Sequence, residues 1–507
     1  MQLHQKFIEV AKANLNKIAV HDIATEKEIT YEKMLIVSLI LAKKISKFKS
    51  KYIGIMVPTS AGCMLSVLGS LMAGKVPAMI NYSTGARENA KYAQEKCSFK
   101  TIITSRKLLE KIKVEPIDGM IFLEDIIASL SLLDKLPALF KSKLPTNVLT
   151  KKVHAGSIED EAVILFTSGS EKEPKAVQLS HKNIMHNLET LPVAVGLTKD
   201  DMFLSNLPLF HVFGTTANFW LPLIMGATSV TYPNPLDYKI VCRLVKEYNV
   251  TVMAGTPAFY HGYLKKSRKG DFSSIRYALS GADVLTKQLY DGFLEKHDLT
   301  LHNAYGTTET SPAITVSTPR NNKFGSVGKV LDGVQVEIRD RETDATLEVG
   351  SVGKIYVKGD NVMIGYLGDL EETSRSIHNG WYDTGDMGML DEDGFLWHKG
   401  RLKRFVKVAG EMVSLVRVEE TLTEVLPEGV VCCVVDVPNP TKGADVVAAV
   451  TTGEFDKKKV LKQLKKDLPA IAVPKEFYII EDIPMMGSGK VNFREVEKIC
   501  RKRQAAK

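Results

Sequence analysis

Ala162-Val163-Ile164-Leu165-Phe166-Thr167-Ser168-Gly169-Ser170-Glu171-Lys172-Glu173-Pro174-Lys175 decides the fold class. A short apolar run predicts a buried strand, and the hydroxyls, glycine and proline that follow cut it off in a turn. A candidate helix then begins near His181. The same pattern recurs on either side. Tyr52–Val57 reads as a strand, Cys63–Ala73 as a buried helix, and Thr101–Thr104 and Met120–Leu123 as strands. Lys239–Tyr248 reads as a helix leading to the strand Thr251–Ala254, and Ser274–Leu279 as a strand running into Ser280-Gly281-Ala282-Asp283 before a helix from Thr286 to Lys296. Such alternation predicts α/β sheets whose ligands gather at the carboxyl ends of the strands.

Farther along, the texture changes twice. After Gly325 come short strands and glycine turns: Val334–Asp340, Gly353–Lys358, Gly388–Asp391 and Gly394–His398. Past Gly400 helices (Val416–Leu426, Lys457–Leu468, Asn492–Arg503) mix with strands (Val430–Val437, Val446–Thr452, Glu476–Ile480), as in a compact α+β domain. The expectation is therefore an α/β protein: an N-terminal region, 1–399, of two α/β subdomains and a small β-rich one, then a C-terminal α+β domain, 400–507. The polar, basic stretch Lys141–His154 reads as the boundary between the halves of the larger region.

The chain has 507 residues, 44% hydrophobic and 25% charged, which suits a globular enzyme and not a disordered or fibrous chain. The best bilayer-spanning candidate, Met64–Met79, is broken by Gly69, Gly74 and Lys75, and the opening residues MQLHQKFIEV show no export signal, so a cytoplasmic location is expected. The six cysteines are scattered, which argues against a disulfide framework or a zinc site. The net charge of +8 is uneven: residues 401–507 hold 20 basic and 15 acidic residues (net +5), and residues 1–400 hold 47 and 44 (net +3). Nucleic acid is a poor explanation, since no basic run is interleaved with aromatics. An anionic membrane or an acidic partner remains.

Five short stretches carry possible chemistry, each with a plain structural alternative. Thr167–Lys175 offers hydroxyls, glycine amides and a lysine to phosphate oxygens, without Walker A spacing, or is a surface turn. Tyr305-Gly306-Thr307-Thr308-Glu309 puts an aromatic face, two hydroxyls and a carboxylate together, enough to stack a base, bond a phosphate and hold Mg²⁺, or is a capped loop. In Trp381–Asp386 the carboxylate of Asp386, just past a glycine turn, is suited to ribose hydroxyls or is an ordinary turn residue. Gly400-Arg401-Leu402-Lys403-Arg404 sits at the composition change and reads as a hinge or as a solvated basic face. Pro484–Lys490 ends in a lysine after Gly-Ser-Gly, free to swing onto a phosphate or simply exposed.

In this order and at these intervals the stretches resemble the adenylate-forming superfamily of acyl-CoA synthetases, peptide-synthetase adenylation domains and luciferases, from Thr30-Tyr31 to Lys490. The resemblance implies ATP as substrate and Mg²⁺ as cofactor. It makes Thr167, Ser168, Gly169, Ser170 and Lys175 the phosphate loop, Gly281, Ala282, Tyr305, Gly306, Thr307, Thr308 and Arg401 further nucleotide-binding residues, and Asp386 the residue on the ribose. Glu309, with Thr167 as a second candidate, would hold Mg²⁺; Lys490 would bridge the α-phosphate and the carboxylate, with Thr167 and Glu309 its catalytic companions. Lys403 would be the pivot of a mobile C-terminal domain, and His211 and Gly410 would line the acyl and thiol passage. Phe166–Lys175, Leu207–His211 and above all Gly400–Leu415 (GRLKRFVKVAGEMVSL) resemble one branch. That branch is the acyl-[acyl-carrier-protein] synthetase half of the bacterial bifunctional 2-acylglycerophosphoethanolamine acyltransferase.

Two positions depart from the superfamily's pattern, Lys172 and Ala176, where glycines are usual. The implied partners are a fatty acid and holo-acyl carrier protein. The alternatives are CoA as the thiol acceptor, an aryl or amino acid as the carboxylate, and a non-catalytic acyl or nucleotide sensor. Peripheral contact with the inner membrane, through Lys43, Lys44, Lys47, Lys49 and Lys51 or through Lys265, Lys266, Arg268 and Lys269, is a secondary expectation.

Overall fold

The computed structural model describes residues 1–167, 174–409, 411–427, 429–439, 441–486 and 491–505. The expected α/β architecture, a large N-terminal region followed by a small C-terminal domain, is present. The chain divides into two compact units, Met1–Ser168 with Pro174–Gln335 and Lys358–Tyr382, and Val336–Val357 with Asp383–Lys507.

The first unit is built on two sheets. A nine-stranded sheet has the order Lys329–Val330, Ala313–Val316, Leu301–Gly306, Tyr277–Gly281, Val252–Gly255, Met202–Ser205, Thr228–Thr231, Ile18–Asp22, Lys27–Thr30. Its six central strands are parallel, and antiparallel strands close both edges. Helices Tyr238–Glu247, Pro257–Lys266 and Lys287–His297 supply crossovers, and their Val241, Val245, Phe259, Tyr260 and Phe293 are fully buried against strand residues Met253 and Ala278. The seven-stranded sheet runs Gly365–Tyr366, Ala176–Ser180, Glu161–Phe166, Val76–Met79, Tyr52–Met56, Ile102–Thr104, Met120–Phe122. Helix His181–Val195 follows, started by a capping box between Ser180 and Asn183 and ended by Gly196 in the left-handed conformation.

In the second unit the strands Val334–Arg339, Gly353–Gly359 and Trp381–Leu390 lie side by side, and Leu396–Arg401 pairs with Trp381–Leu390. The C-terminal portion has a three-stranded sheet of Cys432–Asn439, Gly443–Val450 and Phe477–Ile479. Strand alternation sends Val434, Val446 and Ala448 toward Leu422 and Leu464 on one face, and Cys433, Val435 and Val447 toward Val496 and Cys500 on the other. Two cores therefore form on one sheet.

Three sequence expectations are corrected. A strand, Ala176–Ser180, intervenes between Lys175 and the helix at His181, and it pairs antiparallel with Glu161–Phe166. The stretch beginning at Thr167 thus joins the two limbs of a β-hairpin and does not lead into a helix N-terminus. Asp386 does not follow a turn but lies inside the ten-residue strand Trp381–Leu390, which continues through Gly385 although that residue takes a φ of +70. Lys141–His154 is not a boundary: helices Leu132–Lys143 and Thr146–Lys152 occupy it, tied to the N-terminal helix by Lys12 Nζ donating to the Ser142 carbonyl (2.8 Å) and Gln5 to that of Thr150 (3.3 Å).

Candidate functional site

Parallel register brings two of the predicted turns together. Gly281 pairs with Ala304, so Gly281-Ala282 and Tyr305-Gly306 leave adjacent parallel strands at the same, carboxyl, end. Ala282 adopts a φ of +72, which turns the chain sharply beyond the sheet. The ring of Phe213 lies against Gly281, and the segment carrying it follows strand Met202–Ser205 at the same sheet end. There His211 is half-buried, its ring 4.5 Å from that of Phe210, which also packs edge-to-face with Tyr82 at 4.8 Å. A π-helical turn, Thr215–Trp220, follows directly, a distortion often found beside ligand sites.

Tyr305–Glu309 is held by its backbone. A Cβ at Gly306 would lie 1.8 Å from the Pro312 carbonyl oxygen, so only glycine fits. The Thr307 amide donates to that oxygen (3.1 Å) and to Thr310 Oγ1 (3.0 Å), starting the tight turn Thr308–Thr310. The turn buries Glu309. Its carboxylate accepts a hydrogen bond from the Tyr366 hydroxyl (2.9 Å), and its carbonyl accepts one from the Met363 amide (2.8 Å). Burial, then the carboxylate of Glu309, pushes the Tyr366 hydroxyl's pKa well up and keeps it a donor.

Tyr366 reaches a second predicted element. Strand Gly365–Tyr366 pairs with Val177 and Gln178 in the second limb of the hairpin. The Lys175 ammonium consequently sits 4.5 Å from the centre of the Tyr366 ring and pairs with Glu372. The base of the hairpin is closed by Thr167 N donating to the Lys175 carbonyl and by Lys175 N donating to Thr167 Oγ1, both at 3.0 Å. One network thus joins Thr167, Lys175, Glu372, Tyr366 and Glu309. Ser168, Gly169, Ser170 and Lys172 lie outside the described residues, as do Gly410 and Lys490.

The donor set suits Mg²⁺. A buried carboxylate steered by one phenolic hydrogen bond is a ligand for a cation that keeps several waters and takes its other oxygens from phosphates. Among the described residues no cluster of three or more carboxylates, histidines or cysteines offers an all-protein cage.

Within the second unit, strand register places Asp386 opposite Arg401. Asp386 is buried, its Oδ1 3.3 Å from Arg401 Nε and 3.8 Å from His398 Nε2, and its amide donates to Thr384 Oγ1 (3.1 Å). Thr384 in turn donates to the Ile355 carbonyl (2.8 Å). The aspartate is thus oriented from both sides, with an exposed guanidinium at its rim. Lys403 lies exposed on the single 3₁₀ turn Leu402–Arg404.

Tyr366 and Glu372 escaped sequence reading. Both contacts are made by long-range pairing, and neither residue stands in a motif of its own; a glycine-flanked tyrosine was the only local signal.

Comparison with known proteins bears on what such a site belongs to. The profile of the AMP-binding enzymes matches residues 7–367, and that of the AMP-binding enzyme C-terminal domain matches residues 417–490. The chain belongs to the AMP-binding enzyme family. As a member of this adenylate-forming superfamily it is similar to the Probable CoA ligase CCL5 of Humulus lupulus, at 25% identity covering 97% of this chain and 91% of that protein. It is also similar to a long-chain-fatty-acid–CoA ligase of Yersinia pestis, at 28% identity covering 66% and 61%. Among solved structures, ATP-bound MatB from Rhodopseudomonas palustris matches with a TM-score of 0.87 at 24% identity, over 99% of this AMP-binding enzyme and 100% of that chain, which establishes the shared fold.

Proposed function

We propose that this AMP-binding enzyme is an ATP-dependent acid–thiol ligase that activates a fatty acid as its acyl-adenylate and passes the acyl group to the phosphopantetheine thiol of acyl carrier protein. The observation that carries the reading is the side-by-side exit of Gly281-Ala282 and Tyr305-Gly306 from adjacent strands, with Glu309 buried one turn on and held by Tyr366.

In the first step a carboxylate oxygen attacks the α-phosphorus and pyrophosphate leaves. Both reactants are anionic, so the difficulty is electrostatic. Tyr305 would stack on adenine beside Gly281 and Ala282; Asp386, with Arg401, would accept the ribose hydroxyls. Thr167–Lys175 would take the β- and γ-phosphates, and Lys490 would bridge the α-phosphate and the carboxylate. Glu309, with Thr167 as a second candidate, would hold Mg²⁺, which supplies neutralisation of the phosphate charge. In the second step the thiolate attacks the acyl carbonyl and AMP leaves. The division into 1–399 and 400–507, pivoting at Lys403, would exchange Lys490 for the Gly410 loop, and the thiol arm would pass His211.

For the acceptor, the likeness of Gly400–Leu415 to acyl-[acyl-carrier-protein] synthetases favours a carrier protein, which the net +5 of residues 401–507 suits. The likeness to CoA ligases of Humulus lupulus and Yersinia pestis favours CoA as the second reading. A cytoplasmic enzyme whose acids partition into bilayers would gain from contact with the inner membrane.

The test is a matrix of carboxylates against holo-carrier protein and CoA, read by pyrophosphate release and thioester formation. Fatty acids should release pyrophosphate, and carrier thioester should exceed CoA thioester at equal acceptor concentration. Thioester on CoA alone selects the second reading; aryl-dependent release corrects the substrate class. No carboxylate-dependent release at all leaves only a nucleotide or acyl sensor.

A further inference from the structure

We propose that helix Leu132–Lys143 is a docking element that seats this protein on an anionic lipid surface. The helix is inverted with respect to ordinary amphipathic packing. At 100° per residue, Leu132, Leu133, Leu136, Leu139 and Phe140 fall within an arc of about 120°. That arc faces out: Leu132 is 72%, Leu133 78% and Phe140 71% exposed, while the side turned to the protein buries the small residues Ala138 and Ser142. An exposed apolar patch of this kind marks an interaction site.

The helix is firmly built and not a frayed loop. Ser131 and Asp134 form a capping box at its start, and it packs along helix Tyr31–Ile45. Pro137 lacks the amide that would bond the Leu133 carbonyl, and Lys43 Nζ donates to that oxygen instead (3.4 Å). Asp134, the one acidic residue of 131–152, is turned inward between Lys43 (3.4 Å) and Lys44 (2.9 Å). The same stretch holds five lysines, a net +4; Lys135 borders the apolar arc, Lys143 lies within it and pairs with Glu32 of the neighbouring helix (2.6 Å), and Lys141 stands exposed farther round the helix.

Charge selects the occupant. Protein interfaces are depleted in lysine and enriched in arginine. This arc holds only leucine, phenylalanine and lysine, the composition of a helix lying in a headgroup layer, where lysine stems snorkel to phosphates. Among the described residues no helix is long and apolar enough to cross a membrane, so the contact is peripheral.

Flotation of the full-length protein with vesicles tests this. Binding is expected to phosphatidylcholine mixed with phosphatidylglycerol and to be much weaker to phosphatidylcholine alone, falling as salt rises. The double substitution Leu133→Glu with Phe140→Glu should weaken it by roughly tenfold or more, and so should Lys135→Glu with Lys141→Glu, with circular dichroism and Tm unchanged because all four side chains are exposed. Absence of binding to the anionic vesicles, or binding indifferent to both pairs, overturns the proposal. So does a self-association lost in Leu133→Glu with Phe140→Glu while vesicle binding is absent, which would make a second copy of the chain the occupant. Partition is read without turnover, so the outcome is independent of the ligase reading.

Discussion

Tyr366 touches two of the site's charges at once: its hydroxyl steers Glu309 and its ring faces the Lys175 ammonium. Removing only the hydroxyl therefore tests the steering while leaving the ring beside Lys175 in place. Tyr366→Phe should lower adenylation by roughly ten- to a hundredfold and raise the Mg²⁺ concentration needed for half-maximal rate, since the carboxylate proposed to hold the metal loses its outer hydrogen bond. Pyrophosphate exchange titrated with Mg²⁺ checks it, and an unchanged Mg²⁺ dependence would reduce Tyr366 to packing. At this scale the sequence was legible where function is contiguous. Tyr305 to Glu309 stand within five residues, and their chemistry shows in their types. Tyr366 and Glu372 were not legible, being 57 and 197 positions from the groups they contact. Asp386 and Arg401 were both legible singly; their meeting was not, because it depends on strand register.

Elements were read well where periodicity is long and poorly where it is short. The helix expected from Thr286 to Lys296 is present as Lys287–His297, and that expected over Lys457–Leu468 as Lys457–Asp467. Ala176–Ser180 was missed because a five-residue strand followed at once by a capped helix leaves no turn signal between them. The 3₁₀ turn Leu402–Arg404 shows what a basic stretch can conceal. Arg404 is no solvated charge: it donates to the Val434 carbonyl (2.7 Å), pairs with Glu419 (2.9 Å) and lies 3.9 Å from the centre of the Phe493 ring. Glu419 also accepts from the Val434 amide (2.8 Å). Arg404→Ala should cost about 2 kcal/mol, with Arg404→Lys recovering little of it because an ammonium cannot serve three differently placed partners. Urea unfolding of the full chain measures both.

At the scale of the molecule, acid should act through buried histidines, two of which lie at the N-terminal segment. His4 and His181 are fully buried; His4 Nε2 faces the His154 carbonyl (2.8 Å), and His181 Nδ1 accepts from the Leu3 amide (3.2 Å). Burial takes the pKa of His4 down to about 4, and burial with neighbouring His4 takes that of His181 down to about 3. In the unfolded chain both take up protons near pH 6.5, so the unfolded state binds more protons between that pH and the folded values. Stability is then complete above pH 6.5 and falls as the pH drops, by roughly 2 kcal/mol per histidine at pH 5. The urea midpoint should be lower at pH 5 than at pH 7, and His4→Gln should flatten that slope; an equal or higher midpoint at pH 5 contradicts it. The parallel sheet has a further consequence, for biosynthesis. Ile18–Asp22 is an interior strand whose parallel neighbour is Thr228–Thr231, with Ile18 and Thr228 bonded across 210 positions of chain. At about 5–20 residues per second, a ribosome would leave that apolar segment without its neighbour for roughly ten to forty seconds. Strand Ile18–Asp22 is thus a natural client for a chaperone at the exit tunnel, and ribosome profiling of such chaperones should find it engaged until Thr228–Thr231 have left the tunnel.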